Sequence, residues 1–381
     1  MDRMAPEMLL AIFDYVGGPD QPETRLHEQP TSSSLSAGNT PLKAASLVCR
    51  TWRSLALQFL FRHVVWKPDA HPPATSNKPP LELLLPQLKP LLRFLAENNL
   101  DRRVITFTMS VDSDRPLFNS SEELLTTTRP CRLAEIWHSL FSIIDPLRST
   151  IVARPTALIG LLSLTPFPDR PYQPDPEPCN MLSLARANRE EPSISVASSV
   201  SSSGSHLFGV RPWTSLILNE GSFMNQPLDY LYSRRGYSRT LPGLLLSQFP
   251  KTVADFSYIA IYSPPSHWIA LTRNLPRINR LFLQFTPMSA CRISEYTIEM
   301  KNDDDSLRQS TWVCYRSLAK ILTQSPLTEP NSSWRQLSVL ESGGAYLRVT
   351  WDQFEEYFKQ HATKDWKLER EGVFVIYSND G

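Results

Sequence analysis

Phe256-Ser257-Tyr258-Ile259-Ala260-Ile261 and Ile278-Asn279-Arg280-Leu281-Phe282-Leu283 share one spacing, apolar-x-x-apolar-x-apolar. It recurs as Val104-x-x-Phe107-x-Met109, Trp213-x-x-Leu216-x-Leu218 and Trp334-x-x-Leu337-x-Val339. The alternation inside each unit is that of a strand with one buried face. Stretches of helical periodicity lie between several units, at Trp268 to Leu275, Trp312 to Leu322 and Trp351 to Gln360. Strand then helix, repeated, predicts an α/β fold with helices packed on a parallel sheet. Ile259 to Leu281 is a step of 22 residues, and Leu216 to Ile259 is 43, close to two such steps. Both fit leucine-rich repeats, whose period is about 20 to 29 residues. Leu281 to Leu337 does not fit, which leaves two readings: a degenerate repeat array, or a non-repetitive α/β domain.

Outward from this array the chain is punctuated by proline, 33 residues in 381, against a usual share of about 5%. Short elements separated by many loops follow from that. A polar excursion at 165–205 opens with Pro168, Pro171, Pro174, Pro176 and Pro178 and closes in a serine tract at 198–203. Such composition buries too little apolar surface to offset chain entropy, and disorder is expected there. The serine tract is either a phosphorylated control element or a plain unstructured loop. Leucines at 81, 84, 85, 88, 91, 92 and 95 predict a helix that Pro86 and Pro90 kink or divide.

Residues 4–16 read as an amphipathic helix, with Pro6 in its first turn and Met8, Leu9, Ile12, Phe13 and Val16 on an apolar stripe. Gly17 to Pro41 reads as a flexible loop. Helical pattern resumes from Leu42 to about Phe61, with Val48, Trp52, Leu55, Phe59 and Leu60 apolar.

Charge is nearly balanced, 39 basic against 38 acidic residues, for a net of +1. No basic stripe of the kind that tracks nucleic acid stands out, and no nucleic-acid partner is expected. The densest charged spots, Arg234-Arg235 with Arg239 and Asp303-Asp304-Asp305, read as solvated loops. Five scattered cysteines, at 49, 131, 179, 291 and 314, form no C-x-x-C pair, so neither zinc nor a disulfide framework is indicated. A reducing compartment, cytoplasm or nucleus, is the simplest fit. No run approaches the roughly 20 apolar residues of a membrane span, and no membrane partner is expected. The seven histidines are dispersed, and phosphate-cradling glycine loops and a nucleophile elbow are missing. Catalytic residues, metals and cofactors are accordingly not expected.

Two N-terminal segments carry a resemblance. Met4-Ala5-Pro6-Glu7-Met8-Leu9-Leu10-Ala11-Ile12-Phe13-Asp14-Tyr15-Val16 and Leu47-Val48-Cys49-Arg50-Thr51-Trp52-Arg53-Ser54-Leu55 resemble the two halves of an F-box, in the right order. The likeness covers residues 4–66, with the 17–41 insertion standing where the family has a short link and Met4 replacing the first motif leucine. Looser likeness links 67–381 to fungal F-box proteins with degenerate leucine-rich repeats. It rests on Leu91-Leu92-Arg93-Phe94-Leu95-Ala96-Glu97-Asn98-Asn99 and on Ile144-Asp145-Pro146-Leu147-Arg148 with Ile151-Val152-Ala153.

The resemblance implies three packed helices docked on the Skp adaptor of a cullin–RING ubiquitin ligase. Pro6, Leu9, Ile12, Phe13, Val48, Cys49, Trp52 and Leu55 match motif positions. Pro6 and Leu9 fall to the adaptor first, Trp52 to core or interface equally, and Cys49 to buried packing. The array would hold a client protein of unspecified identity, making the chain a non-catalytic substrate receptor. Two rivals stand beside it: a binding module outside any ligase, and a hydrolase or transferase with its site in 67–381.

Overall fold

The computed structural model describes residues 4–17, 26–27, 40–68, 80–111, 130–162, 179–189, 206–222, 241–246, 248–261, 271, 278–284, 312, 315–316, 336–340, 352, 354–360, 366–370 and 373–376. These residues form a mixed α/β fold in which most strand pairs are parallel. The chain divides into two compact units, Met1–Trp213 and Thr214–Gly381. The N-terminal helices and the first strands belong to the same unit.

In the first unit α1 (Pro6–Gly17), α2 (Thr40–Ala45) and α3 (Arg50–Leu60) lead into β1 (His63–Trp66). Then follow α4 (Pro80–Glu97), β2 (Thr106–Val111), α5 (Pro130–Ile143), β3 (Arg148–Ala153), α6 (Pro155–Leu161), β4 (Asn180–Ala185) and α7 (His206–Gly209). The single helix expected over Leu42 to Phe61 is in fact two. Ser46 Oγ donates to Lys43 O at 2.7 Å where α2 ends, a side-chain bond that competes with the helical ladder. Cys49 then takes extended backbone, φ −158° and ψ 171°, and caps α3 by accepting the Trp52 N–H on Sγ at 3.5 Å. Helix α4 runs through Pro86 and Pro90 undivided. Both prolines are exposed, so the bonds they forfeit face water. Asn99 ends the helical run in the left-handed conformation, φ 54°, while Leu100 N–H reaches back to Leu95 O at 2.9 Å.

Strands β1, β2 and β3 run parallel, and β4 pairs antiparallel to β3. Period-2 alternation places Phe107, Met109 and Val111 on one face with Ile151 and Ala153, and Thr106, Thr108 and Ser110 on the other with Arg148 and Thr150. Strand β4 corrects the expectation of disorder across 165–205. Met181, Leu182 and Leu184 are buried, enough apolar surface in six residues to hold a strand against β3. Apart from 179–189, that excursion lies outside the described residues, as does 17–41 apart from Gly17, Leu26, His27, Thr40 and Pro41. Leu26 is itself buried.

The second unit contains β5 (Ser215–Ser222), α8 (Leu241–Leu246), β6 (Asp255–Ile261), β7 (Arg280–Gln284), β8 (Gln336–Leu340), β9 (Trp366–Arg370) and β10 (Val373–Ile376). Strands β5 to β8 pair in chain order and parallel, whereas β10 pairs antiparallel with β8 and β9. Arg280 Nε donates to Asp255 Oδ1 at 2.7 Å across β6 and β7, and this hydrogen bond holds the guanidinium pKa above its ordinary value. Of the expected helices, residue 271, residues 312 and 315–316, and residues 352 and 354–360 are helical, and the rest lie outside the described residues. Tyr315 packs on Phe354 with ring centroids 5.1 Å apart.

One backbone device recurs in each unit. Two consecutive N–H groups at a strand start donate to the carbonyl just before the preceding strand. Ile105 and Thr106 do so to Arg62 O at 2.7 and 3.1 Å, and Leu147 and Arg148 to Ile105 O at 2.8 and 3.2 Å. In the second unit Ala254 and Asp255 donate to Thr214 O, and Asn279 and Arg280 to Ala254 O. The register corrects one frame. Val253-x-x-Phe256-x-Tyr258, not Phe256-x-x-Ile259-x-Ile261, aligns with Trp213-x-x-Leu216-x-Leu218 and Ile278-x-x-Leu281-x-Leu283. Phe61-x-x-Val64-x-Trp66 and Pro146-x-x-Ser149-x-Ile151 fall in the same phase as Val104-x-x-Phe107-x-Met109. The steps between equivalent carbonyls are thus 43 residues from Arg62 to Ile105, 40 from Thr214 to Ala254 and 25 from Ala254 to Asn279. A uniform step of 22 is not observed.

Candidate functional site

Helices α1, α2 and α3 enclose a small core of Leu9, Phe13, Leu42 and Ala56, against which Ala45, Trp52, Leu55, Phe59 and Leu60 pack. Phe13 meets Trp52 edge to face, centroids 5.5 Å apart and planes at 74°. Arg62, where α3 gives way to β1, joins this cluster to the strands. Its Nη1 donates to Asp14 Oδ1 at 2.9 Å, its guanidinium lies 4.9 Å from the Phe59 ring centroid, and its carbonyl receives the first N–H groups of β2.

The outer surface of the same helices is apolar. Among the described residues, the exposed large apolar side chains are Met4, Met8, Ile12, Tyr15, Val16, Leu47 and Val48, and all of them belong to this cluster. Met8, Ile12 and Val16 are spaced by four along α1, one row of its surface, and Met4 lies just before the helix. Leu47 and Val48, 78% and 61% exposed, sit on the turn between α2 and α3. A cluster of exposed apolar side chains on a folded protein marks a contact with something else.

The motif residues read from the sequence therefore separate into two sets. Pro6, Ile12, Val48 and Cys49 are exposed. Leu9 and Phe13, 4% and 3% exposed, are internal, so as placed they do not present a surface to a partner. Trp52 and Leu55 are half-buried and line the internal core. Cys49 is not buried packing; it is an exposed helix cap. Met8, Tyr15, Val16 and Leu47 were not among the expected contact residues. Helical rows one position apart, Met8–Ile12 and Leu9–Phe13, look alike in sequence, and only the placement of α2 and α3 tells inside from outside.

Among the described residues, no group of three His, Cys, Asp or Glu side chains is arranged to hold a metal. No helix among them is long and apolar enough to cross a membrane. Arg234, Arg235, Arg239, His267 and Asp303 to Asp305 lie outside the described residues. No family model, curated protein or solved structure matches the chain.

Proposed function

We propose that residues 4–66 act as an F-box-like docking unit for a Skp adaptor, and that the chain is a substrate receptor of a Skp–cullin–F-box ubiquitin ligase. The observation that carries this reading is that the exposed large apolar side chains among the described residues gather at α1 and the α2–α3 turn. Four buried residues make a thin core for such a cluster, and a unit of this size gains stability from a partner. A helix row of Met8, Ile12 and Val16 beside Leu47 and Val48 suits insertion into a hydrophobic groove. In the second segment that resembles the motif, Cys49 and Trp52 form the cap and inner wall of α3.

Behind the docking unit, the strand–helix array is read as a degenerate leucine-rich-repeat-like scaffold that holds a client protein. Support comes from the repeated strand entry and from triplets that fall in phase within each unit. The receptor would act by proximity, bringing a client lysine near a conjugating enzyme and raising its effective concentration.

Affinity purification of the intact chain beside a Met8→Glu, Ile12→Glu, Val48→Glu variant tests the docking reading. Adaptor recovery is expected to fall at least tenfold with the circular dichroism spectrum unchanged. Equal recovery by the two proteins would sink it. Cullin in the wild-type eluate supports the ligase assignment, and adaptor without cullin supports a binding module outside a ligase. Leu9→Ala is a poor probe, because it opens the internal core.

A further inference from the structure

The geometry points to an oxyanion-binding site of phosphate chemistry at the amino-terminal edge of β2 and β3, built on Arg186, Arg211 and Asp145. Asp145 lies in the loop before β3, Arg186 directly follows β4, and Arg211 closes the first unit. Both guanidiniums converge on one carboxylate oxygen. Arg186 Nη2 and Arg211 Nε each pair with Asp145 Oδ1, the latter at 3.1 Å. Arg211 Nη1 and Nη2 each donate one N–H, to the Val210 and Phe141 carbonyls, and each carries a second N–H, while the guanidinium lies over the Phe141 ring, 5.5 Å from its centroid.

Charge and burial are out of balance here. Two guanidiniums share one carboxylate, and the Arg186 side chain is only 5% exposed. Its Nε is buried with no hydrogen-bond partner. A buried cation without full pairing is costly, and an unmade bond on a charged donor adds to the cost. One further negative charge would balance the cluster. Asp145 and Arg211 are 35% and 26% exposed, so the rim is open to solute.

Further arginines lie nearby, with Asp101 preceding Arg102 and Arg103. Arg186 N–H bonds Leu147 O beside Arg148, and Arg189 donates to the Val104 carbonyl at 2.6 Å, just past exposed Arg102 and Arg103. The fork of an arginine matches tetrahedral oxyanions through paired N–H donors, which favours phosphate over a chloride or an isolated carboxylate. Asp145 holds the two arginines at the right spacing and also competes with the incoming anion.

Thermal unfolding of the intact chain in inorganic phosphate, in tripolyphosphate, and in chloride at equal ionic strength tests the site. Either phosphate is expected to raise the midpoint by about 2–4 °C at several times Kd. Asp145→Asn is expected to start lower in chloride and to gain more from phosphate than wild type does. Arg211→Gln should lose the response, and Arg211→Lys, which keeps the charge but not the forked donors, should weaken binding about tenfold. A response to inorganic phosphate assigns a single-phosphate ligand, and one confined to tripolyphosphate assigns a polyphosphate reaching Arg148 or Arg189. An absent phosphate-specific rise in both wild type and Asp145→Asn overturns the site. So does an undiminished rise in both Arg211 variants.

Discussion

The three N-terminal helices and the strands that follow them handle apolar surface in opposite ways. In β2 and β3 the apolar positions are covered, with Phe107, Met109, Ile151 and Val152 at most 2% exposed. In α1 the buried pair Leu9 and Phe13 lies beside a row of comparable hydrophobicity, Met8 and Ile12, left 58% and 42% exposed. A fold that buries its strands this well has not run out of means to cover apolar atoms. What the contrast teaches is that the α1 row is spare: it contributes nothing to the internal core, so its composition answers to another requirement.

Four substitutions test that contrast, in order of falling effect. Trp137→Ala in α5 removes a 2% exposed indole and strands the Leu161 carbonyl that its Nε1–H reaches at 3.1 Å. A loss of about 3–5 kcal/mol for the cavity is expected, with about 1–3 more for the orphaned acceptor, read by chemical denaturation. Phe13→Ala in α1 should cost roughly 3 kcal/mol, including the edge-to-face contact with Trp52. Hydrogen exchange should show that loss in residues 6–60 before β2 and β3. If Phe13→Ala instead unfolds the strands at the same denaturant concentration, the two regions are one cooperative unit and the comparison breaks.

Cys49→Ser should stabilise α3 by up to about 1 kcal/mol, because a hydroxyl is a stronger cap acceptor than the thiol at 3.5 Å. A lower midpoint in the serine variant would show that the thiol serves something other than the cap. The smallest effect belongs to Ile12→Glu, expected within about 0.5 kcal/mol of wild type. Destabilisation as large as that of Phe13→Ala would mean the outer row is structural after all.

How much of this was legible beforehand depends on how local the signal is. The last two residues of each of the five apolar triplets read from the sequence lie on a strand, because each is a contiguous run whose alternation is its own evidence. The frame in β6 slipped by three residues for a concrete reason. Phe256, Tyr258, Ile259, Ala260 and Ile261 put apolar atoms on both faces, and period 2 then no longer marks which face is inward. Strand β4 was hidden by its surroundings, since Asn180-Met181-Leu182-Ser183-Leu184-Ala185 is too short to register inside a proline- and serine-rich stretch. Arg186 and Arg211 reach Asp145 from 41 and 66 residues away, and no window on the chain spans that. For the docking row, helical periodicity revealed that α1 has an apolar side, while the division of that side into core and surface waited on where α2 and α3 pack.

The reversal at β4 has a consequence for how such a chain grows. Parallel units can be copied end to end, because each strand offers the next one the same sequence of slanted donors and acceptors. An antiparallel partner presents those groups in a different pattern, so the slanted ladder is not continued across it. The reversed β10 does the same beside β8. Exact copying of one ladder is thus confined to the parallel stretches, ahead of β4 in one unit and between β5 and β8 in the other.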